Sequence, residues 1–467
     1  MKVLLGSQSY QSRSVGLTGQ RLVNLYMEPS PEGSKYPFAL YGTPGLKVWR
    51  DLKLNSGIDG VLVQRDNLFV VVDRAFYHIT PLKIVTLIGR IDESTENVQL
   101  SANETQVVAL LESGNAYVFT KDSLQKITSE GYRKSSSVTF LDGFHIFSEK
   151  DSSKFFISSL FNALEYNPLD FASAVEKPDD IVALVAFNSA VWIFGTTSTE
   201  IYYNSGNADF PLEQIGGAVN TTRGCGARDS IAQEDNGLFW LGDDGVVYRA
   251  NDYSPQRIST FPIEGAIQSY SRIDNAIATT YTQEGHKFYC LTFPSDDKTW
   301  VFDIATGLWH ERESSGGRWC VNSVMAFDNK VLASDCSKGI IYELDLDVAT
   351  ENGDFIKREA VAPPSWFDGS DMFHDAIRLD MDTGVGLTSG QGSDPLVVLQ
   401  YSNDGGNTWG NERVASIGKR GDYKRRIIWR RLGRANERLY RVTITDPVPV
   451  RIIGAYLEAR QSTQGIK

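Results

Sequence analysis

Short runs of apolar and aromatic residues, each followed by a turn and a second run, recur along the first three quarters of the chain. They occupy 67–72 with 75–79, 106–111 with 116–119, 143–147 with 154–157, 190–194 with 200–203, 237–241 with 245–248, 286–291 with 298–302, and 329–333 with 339–342. Successive pairs start about 36 to 50 residues apart, the spacing of β-propeller blades. Runs such as Leu68-Phe69-Val70-Val71-Val72 are apolar throughout instead of alternating, which predicts sheets covered on both faces. Blades packed around an axis cover both faces, and closing the circle protects their edges. Asp243-Asp244-Gly245, Glu112-Ser113-Gly114-Asn115 and Asp142-Gly143 supply the residue types that tight turns need. Helical patterns are nearly absent; the best, 161–175, is interrupted by Pro168. The predicted class is all-β: a propeller over 41–345, seven blades favoured and six possible, after a partly extended N-terminal segment, 1–40.

A different pattern follows. Residues 346–370 read as a linker, punctuated by Gly353, Pro363-Pro364 and Gly369. Five strand-like runs then appear at 376–381, 395–401, 426–429, 439–444 and 452–457, which predict a β-sandwich-like domain over 371–467. The loop 384–392 between the first two is glycine-rich.

Charge changes the picture because it is unevenly spread. The 467 residues carry 46 Lys and Arg against 58 Asp and Glu, a net −12. Residues 401–467 hold 14 Lys and Arg against 6 Asp and Glu, so residues 1–400 carry −20. That balance excludes a generally basic nucleic-acid binder and a highly charged disordered chain. The cations gather in one strip: Lys419, Arg420, Lys424, Arg425, Arg426, Arg430, Arg431, Arg434, Arg438 and Arg441. Ile427, Ile428, Trp429, Leu432, Leu439 and Tyr440 interleave with it, a partly buried strand pattern that favours an interface over a merely solvated face. Its partner is expected to be phosphates, a neighbouring protein, or the acidic body of another copy.

Few constellations suggest reactive chemistry. Cys225, Cys290, Cys320 and Cys336 lack C-x-x-C spacing and read as free buried thiols. His78, His145, His286, His310 and His374 are scattered without a metal or triad motif. The acidic pairs Asp243-Asp244 and Asp296-Asp297 read as turn residues, and no phosphate-cradling glycine loop is present. Ser402, Asp404, Gly406 and Trp409 match the Asp-box pattern: carboxylate and hydroxyl accept backbone N–H groups, Gly permits φ > 0, and Trp packs beneath. That is a structural turn lock with no reactive geometry. No catalytic, cofactor-binding or metal-ligating residue is predicted. No apolar run reaches the roughly 20 residues of a membrane helix, and Val3-Leu4-Leu5 is far too short for a secretion signal. A chain made in a cytosol, without membrane insertion, is expected.

Taken in order, several motifs resemble a known family. They are Asn24-Leu25-Tyr26 with Tyr41-Gly42-Thr43-Pro44-Gly45-Leu46, and Gly224-Cys225-Gly226-Ala227 leading to Gly237-Leu238-Phe239-Trp240-Leu241. Then come Gly285-His286-Lys287-Phe288-Tyr289-Cys290-Leu291-Thr292-Phe293-Pro294, Lys298-Thr299-Trp300-Val301-Phe302-Asp303 and Thr306-Gly307-Leu308-Trp309-His310-Glu311-Arg312. Arg430-Arg431-Leu432-Gly433-Arg434 and Tyr440-Arg441-Val442-Thr443-Ile444, with Val448 and Gly454, complete the set. Together they resemble the packaged-DNA stabilisation proteins of short-tailed bacteriophages, also called tail hub or nozzle proteins.

The resemblance implies a structural virion protein without catalytic residues or cofactors, made in the host bacterial cytoplasm and located in the tail. It implies a homo-hexameric ring below the portal and its adaptor ring that retains packaged DNA. Double-stranded DNA would pass transiently through the ring, and tailspikes or fibres and a tail plug would dock on it. An acidic tube wall would not hold sliding DNA, whereas a basic one would. The alternative is a carbohydrate-binding or glycoside-hydrolysing propeller, suggested by the Asp-box and the many aromatics.

Overall fold

In the computed structural model all residues are described except 1, 4, 15–16, 94–96, 122, 175–178, 217–222, 368–369 and 462–467. Leu4, Gly369 and the end of the 161–175 stretch noted above lie outside the described residues. Among the described residues, seven four-stranded antiparallel units follow one another. Their innermost strands are Ile58–Gln64, Gln99–Ala102, Ser135–Leu141, Ile181–Phe187, Ala232–Glu234, Ile277–Gln283 and Val321–Phe327. The first six units take all four strands from one stretch of chain. The seventh borrows its outer strand, Gly45–Asp51, which pairs antiparallel with Ile340–Asp345 and so ties the start of the propeller to its end.

Each seam between neighbouring units is one hydrophobic core. Along Asn67–Val72, Leu68, Val70 and Val72 face the seventh unit with Trp49, Leu332 and Ile341. Phe69 and Val71 face the second with Val107 and Ala109. The strand keeps its two-residue period, but both faces are buried, so the sequence reads as uninterrupted apolar residues. The same division recurs at the other five seams, for example Trp192 against Trp240 and Phe239 against Tyr289. A fully buried Val, Leu or Phe contributes about 1.5–3 kcal/mol, so the seams dominate the fold's stability.

The sandwich draws on both ends of the chain. One sheet orders Leu25–Pro29, Phe38–Gly42, Arg451–Gln461, Met372–Met381 and Ile427–Arg430. The other orders Gly19–Val23, Arg358–Val361, Glu437–Ile444, Leu396–Ser402 and Arg413–Ser416. Leu22, Leu40, Ala360, Ile377, Leu399, Val442 and Leu457 fill the space between them. Residues 1–40, read from the sequence as a partly extended segment, thus supply sandwich strands. Residues 346–370, read as a linker, supply the inner strand Arg358–Val361. The second sheet also adjoins the propeller: Val23 pairs with Glu311 on the outer strand of the sixth unit, so the sandwich continues that unit radially outward. Arg413–Ser416 and Ile427–Arg430 end up as the edges farthest from the axis.

A short helix absent from the sequence reading, Phe261–Gln268, follows the fifth unit, started by Thr260 and a proline in its first turn. It packs Ile263 and Ile267 against Leu241 and Val247. The stretch 161–175 is not helical where described and contains the outer strand Phe171–Ser173.

Candidate interaction surfaces

The propeller axis opens at two mouths of different chemistry. At one lies a cavity of about 680 Å³ lined by Asp59, Asn97, Ser136, Val182, Asp229, Ile277 and Asn322, one residue from the start of each innermost strand or just before it. Four of these strands carry a register shift there: between Ile58 and Gly60, Ser135 and Ser137, Ile181 and Ala183, and Val321 and Ser323. The skipped residues are Asp59, Ser136, Val182 and Asn322, so the bulges re-aim these side chains into the axis. Lys150, Arg228, Arg272 and Arg318 share the cavity with Glu112, Asp151 and Asp274, leaving this mouth of mixed charge. Burial pushes the Asp59 carboxyl up to about 6, against a backbone hydrogen bond from Asp73.

The opposite mouth is formed by the turns that end the innermost strands. Asp66, Glu104, Asp142, Asp235, Glu284 and Asp328 place a carboxylate in six of the seven turns, and all are exposed. Arg65, the one cation in these turns, lies 3.5 Å from Glu104. Left-handed φ at Asp142, Asp235, Asn236, Asp328 and Asn329 explains the Asp and Asn content, since short polar side chains tolerate that geometry. Between the third and fifth units the rim holds a hollow of about 450 Å³, with Leu141, Ala186 and Phe187 on one side and Glu234 and Asp235 on the other. This acidic rim escaped the sequence reading. Its signal was present in the repeat itself, as the turn following the first strand of each unit.

The basic strip divides in two. Lys419, Arg420, Lys424, Arg425 and Arg426 stand exposed in the loop joining the two outermost edge strands, and Arg430 is exposed at the end of the second. No side-chain hydrogen bond or ion pair to another described residue is made by these six. Arg431 is exposed with φ +59°, and its N–H donates to the Asp375 carbonyl. Arg434 bonds Asp371 through Nε at 2.7 Å. Arg438 is fully buried over the Tyr401 ring at 4.2 Å, donating to Asn403 Oδ1 and the Leu432 carbonyl. Arg441 lies over Trp409 at 4.1 Å and donates to Gln400 Oε1. The last three are framework; the loop is the surface.

Ser402, Asp404, Gly406 and Trp409 meet in the turn that follows Leu396–Ser402. Ser402 Oγ accepts from the Gly406 N–H at 2.8 Å and donates to Asp404 Oδ1 at 2.6 Å. Asp404 Oδ1 also accepts from the Thr408 N–H at 2.9 Å, and Gly406 has φ +102°. The Ser402 hydroxyl, then Thr408, holds the Asp404 carboxyl at about 2.

The junction between propeller and sandwich joins His286, Asp303, Glu311 and Arg312, from the motifs quoted above, to Arg21, Glu28 and Glu359, which no motif marked. Arg21 forms a two-pronged pair with Glu311, Nε to Oε1 at 2.8 Å and Nη2 to Oε2 at 2.7 Å, and reaches Glu359 through Nη1 at 3.1 Å. Burial would raise the Glu311 carboxyl, but Arg21 outweighs it and holds it below the usual range. Nearby, His286 of the sixth unit bridges Asp303 and Glu28, each at 2.8 Å. The Asp303 carboxylate, assisted by Glu28 and opposed by burial, pushes His286 up to about 9. Buried Arg312 stacks on Trp319 at 3.7 Å and donates to the Pro44 carbonyl. Cys225 and Cys290 are buried free thiols, and Cys320 and Cys336 are half-buried free thiols.

Fold and surfaces define a β-propeller carrying a β-sandwich. Residues 1–349 match the family described as Bacteriophage P22 Gp10, beta-propeller, and residues 357–460 match Bacteriophage P22 Gp10, beta-sandwich. The chain belongs to this family of phage packaged-DNA stabilisation and tail hub proteins. No curated protein sequence matches it. Among solved structures, it is similar to the computationally designed Ika8 protein at 12% identity, covering 65% of this chain and 100% of that one, with a TM-score of 0.39. It is also similar to the WD40 beta propeller domain of Doa1 at 10% identity, covering 64% of this chain and 96% of that one, with a TM-score of 0.43. Among the described residues no helix is long and apolar enough to cross a membrane.

Proposed function

We propose that the chain is a tail hub or nozzle subunit that acts through geometry and protein interfaces. Copies assemble as a ring, six by the family resemblance, below the portal and adaptor, and the ring retains the packaged genome. Tailspikes or fibres and a plug dock on its outside, and no step calls on a catalytic residue. The observation that carries this reading is the exposed loop 419–426, whose cations find no side-chain partner among the described residues and stand at the rim farthest from the propeller axis.

DNA passes between copies and not along the propeller axis. The axial cavity of about 680 Å³ is far too small for a duplex whose major groove alone is about 12 Å wide. The carbohydrate reading has less support, because Arg441 already occupies a face of the Trp409 ring. The test is the assembly state of the full chain, by mass and negative-stain imaging, alone and with its portal–adaptor complex. Lys424→Glu with Arg425→Glu and Arg426→Glu is expected to weaken ring assembly; unchanged assembly would count against the reading. DNA contact by the loop is the second reading, favoured by its unpaired cations, and a steep salt dependence of duplex binding would promote it.

A further inference from the structure

We propose that the loop 419–426 of one copy docks on the turn-lined mouth of a second copy's propeller, with Tyr423 seated in the hollow between the third and fifth units. This rests on reading the basic strip as a contact between copies, and it names the surface that receives it.

The loop is built to present an aromatic group among cations. Tyr423 is 75% exposed, flanked by Lys424, Arg425 and Arg426 on one side and Lys419 and Arg420 on the other. The loop is ordered by its own backbone: the Gly421 N–H donates to the Gly384 carbonyl at 3.1 Å, and the Asp422 N–H to the Lys419 carbonyl at 2.9 Å. The Tyr423 ring lies close over Gly384, where a Cβ would stand 2.9 Å from its Cδ1. A pre-ordered loop loses little conformational entropy on docking. An aromatic ring among arginines is the composition of an interface anchor.

The receiving mouth has the opposite character. Its hollow of about 450 Å³ pairs an apolar wall, Leu141, Ala186 and Phe187, with the carboxylates of Glu234 and Asp235. Asp235 is held by Lys287 at 2.6 Å, whereas Glu234 accepts from the neighbouring Asp235 N–H at 3.2 Å and, among the described residues, forms no ion pair. The exposed Asp142 turn adjoins the same rim. The mouth calls for a cationic partner with an aromatic group, and the loop calls for an anionic partner with an apolar seat. Duplex phosphates would satisfy the cations but leave Tyr423 without a seat.

The loop cannot serve its own propeller. It joins the two strands at the far edges of the sandwich, and its Gly421 N–H bonds the Gly384 carbonyl of that domain. The contact is therefore head-to-tail, between two different surfaces, which closes into a ring when the rotation permits and otherwise grows as a filament.

The experiment uses the full chain with Asp422→Cys, which leaves Tyr423 in place, and Gln233→Cys, treated with a short bis-maleimide, and as control Asp422→Cys with Asp274→Cys at the other mouth. Covalent ladders between copies are expected from the first pair and not from the control. Glu234→Lys is expected to weaken association at least tenfold by sedimentation, with Lys424→Glu in the same chain restoring most of it. Assembly without the first ladder, or with the control ladder instead, overturns the docking site and leaves the ring reading standing. A parent chain that stays monomeric at every concentration overturns both. Unchanged assembly of Lys424→Glu alongside lost binding to duplex DNA assigns the loop to phosphates and overturns the proposal.

Discussion

Arg21, on an N-terminal strand of the sandwich, forms a two-pronged pair with Glu311 on the outer strand of the propeller's sixth unit, at 2.7 and 2.8 Å. Its remaining prong holds Glu359 of the neighbouring sandwich strand at 3.1 Å. One guanidinium thus bridges two carboxylates whose side chains are only 6% and 4% exposed.

Arg21→Met keeps the aliphatic stem and strands both carboxylates. Removing one partner of a buried pair costs about 3 to 5 kcal/mol, and Lys298 and Lys357, at 3.4 and 3.1 Å from the same glutamates, place the expected loss near the lower end. Urea unfolding followed by tryptophan fluorescence checks it. Adding Glu311→Gln should recover part of the loss.

His286 makes the same junction sensitive to base. Its pKa is raised from 6.5 to about 9 by Asp303 and Glu28. The charged imidazole therefore stabilises the fold fully below about pH 6.5, and the contribution is lost as pH rises through 9. The melting temperature of the parent is expected to exceed that of His286→Gln at pH 6, with the gap closing by pH 9.5. A gap that widens toward high pH would contradict the assignment.

Gly45 opens the strand that completes the seventh unit. A Cβ there would meet the Val348 carbonyl oxygen at 2.3 Å and that of Thr350 at 2.5 Å. Backbone atoms cannot swing aside as a side chain can. Gly45→Ala is expected to destabilise the chain by about 3 kcal/mol and to raise amide exchange in both Gly45–Asp51 and Ile340–Asp345, read by mass spectrometry.

Ser402 anchors the turn after Leu396–Ser402 with three hydrogen bonds and is buried. Ser402→Ala leaves the Gly406 N–H without its acceptor and should cost about 1 to 3 kcal/mol. A turn that acts as a lock predicts that only assembly above the onset of the melting transition is affected. Light scattering at 20 °C, where the parent and variant should coincide, separates the two roles.

The strands that were legible in the sequence are the two central ones of each unit. Asn67–Val72, Ala75–Ile79, Lys154–Ile157 and Gly237–Leu241 coincide with apolar runs because both of their faces meet a seam core. The inner and outer strands were not legible. Gln99–Ala102, Ser123–Lys126 and Ser254–Arg257 are short and face solvent on at least one side, so their composition resembles that of loops. The basic strip was legible as a run of charge, but its division was not. Arg438 and Arg425 are both arginines near apolar neighbours, and only the fold separates them: the first is buried over the Tyr401 ring and bonded to Asn403 and Leu432.

By itself the sequence determined the two central strands of each unit, the turns between them, and that cations gather near the C-terminus, because strand period, turn chemistry and charge are properties of neighbouring residues. The tertiary structure alone decided that Gly45–Asp51 completes the seventh unit, that residues 19–42 belong to the sandwich, and that six turns share an acidic rim. Those outcomes depend on pairing between residues hundreds of positions apart. A backbone edge accepts any strand that brings matching hydrogen bonds and a buried face, so the chain near such an edge carries no local mark of its partner.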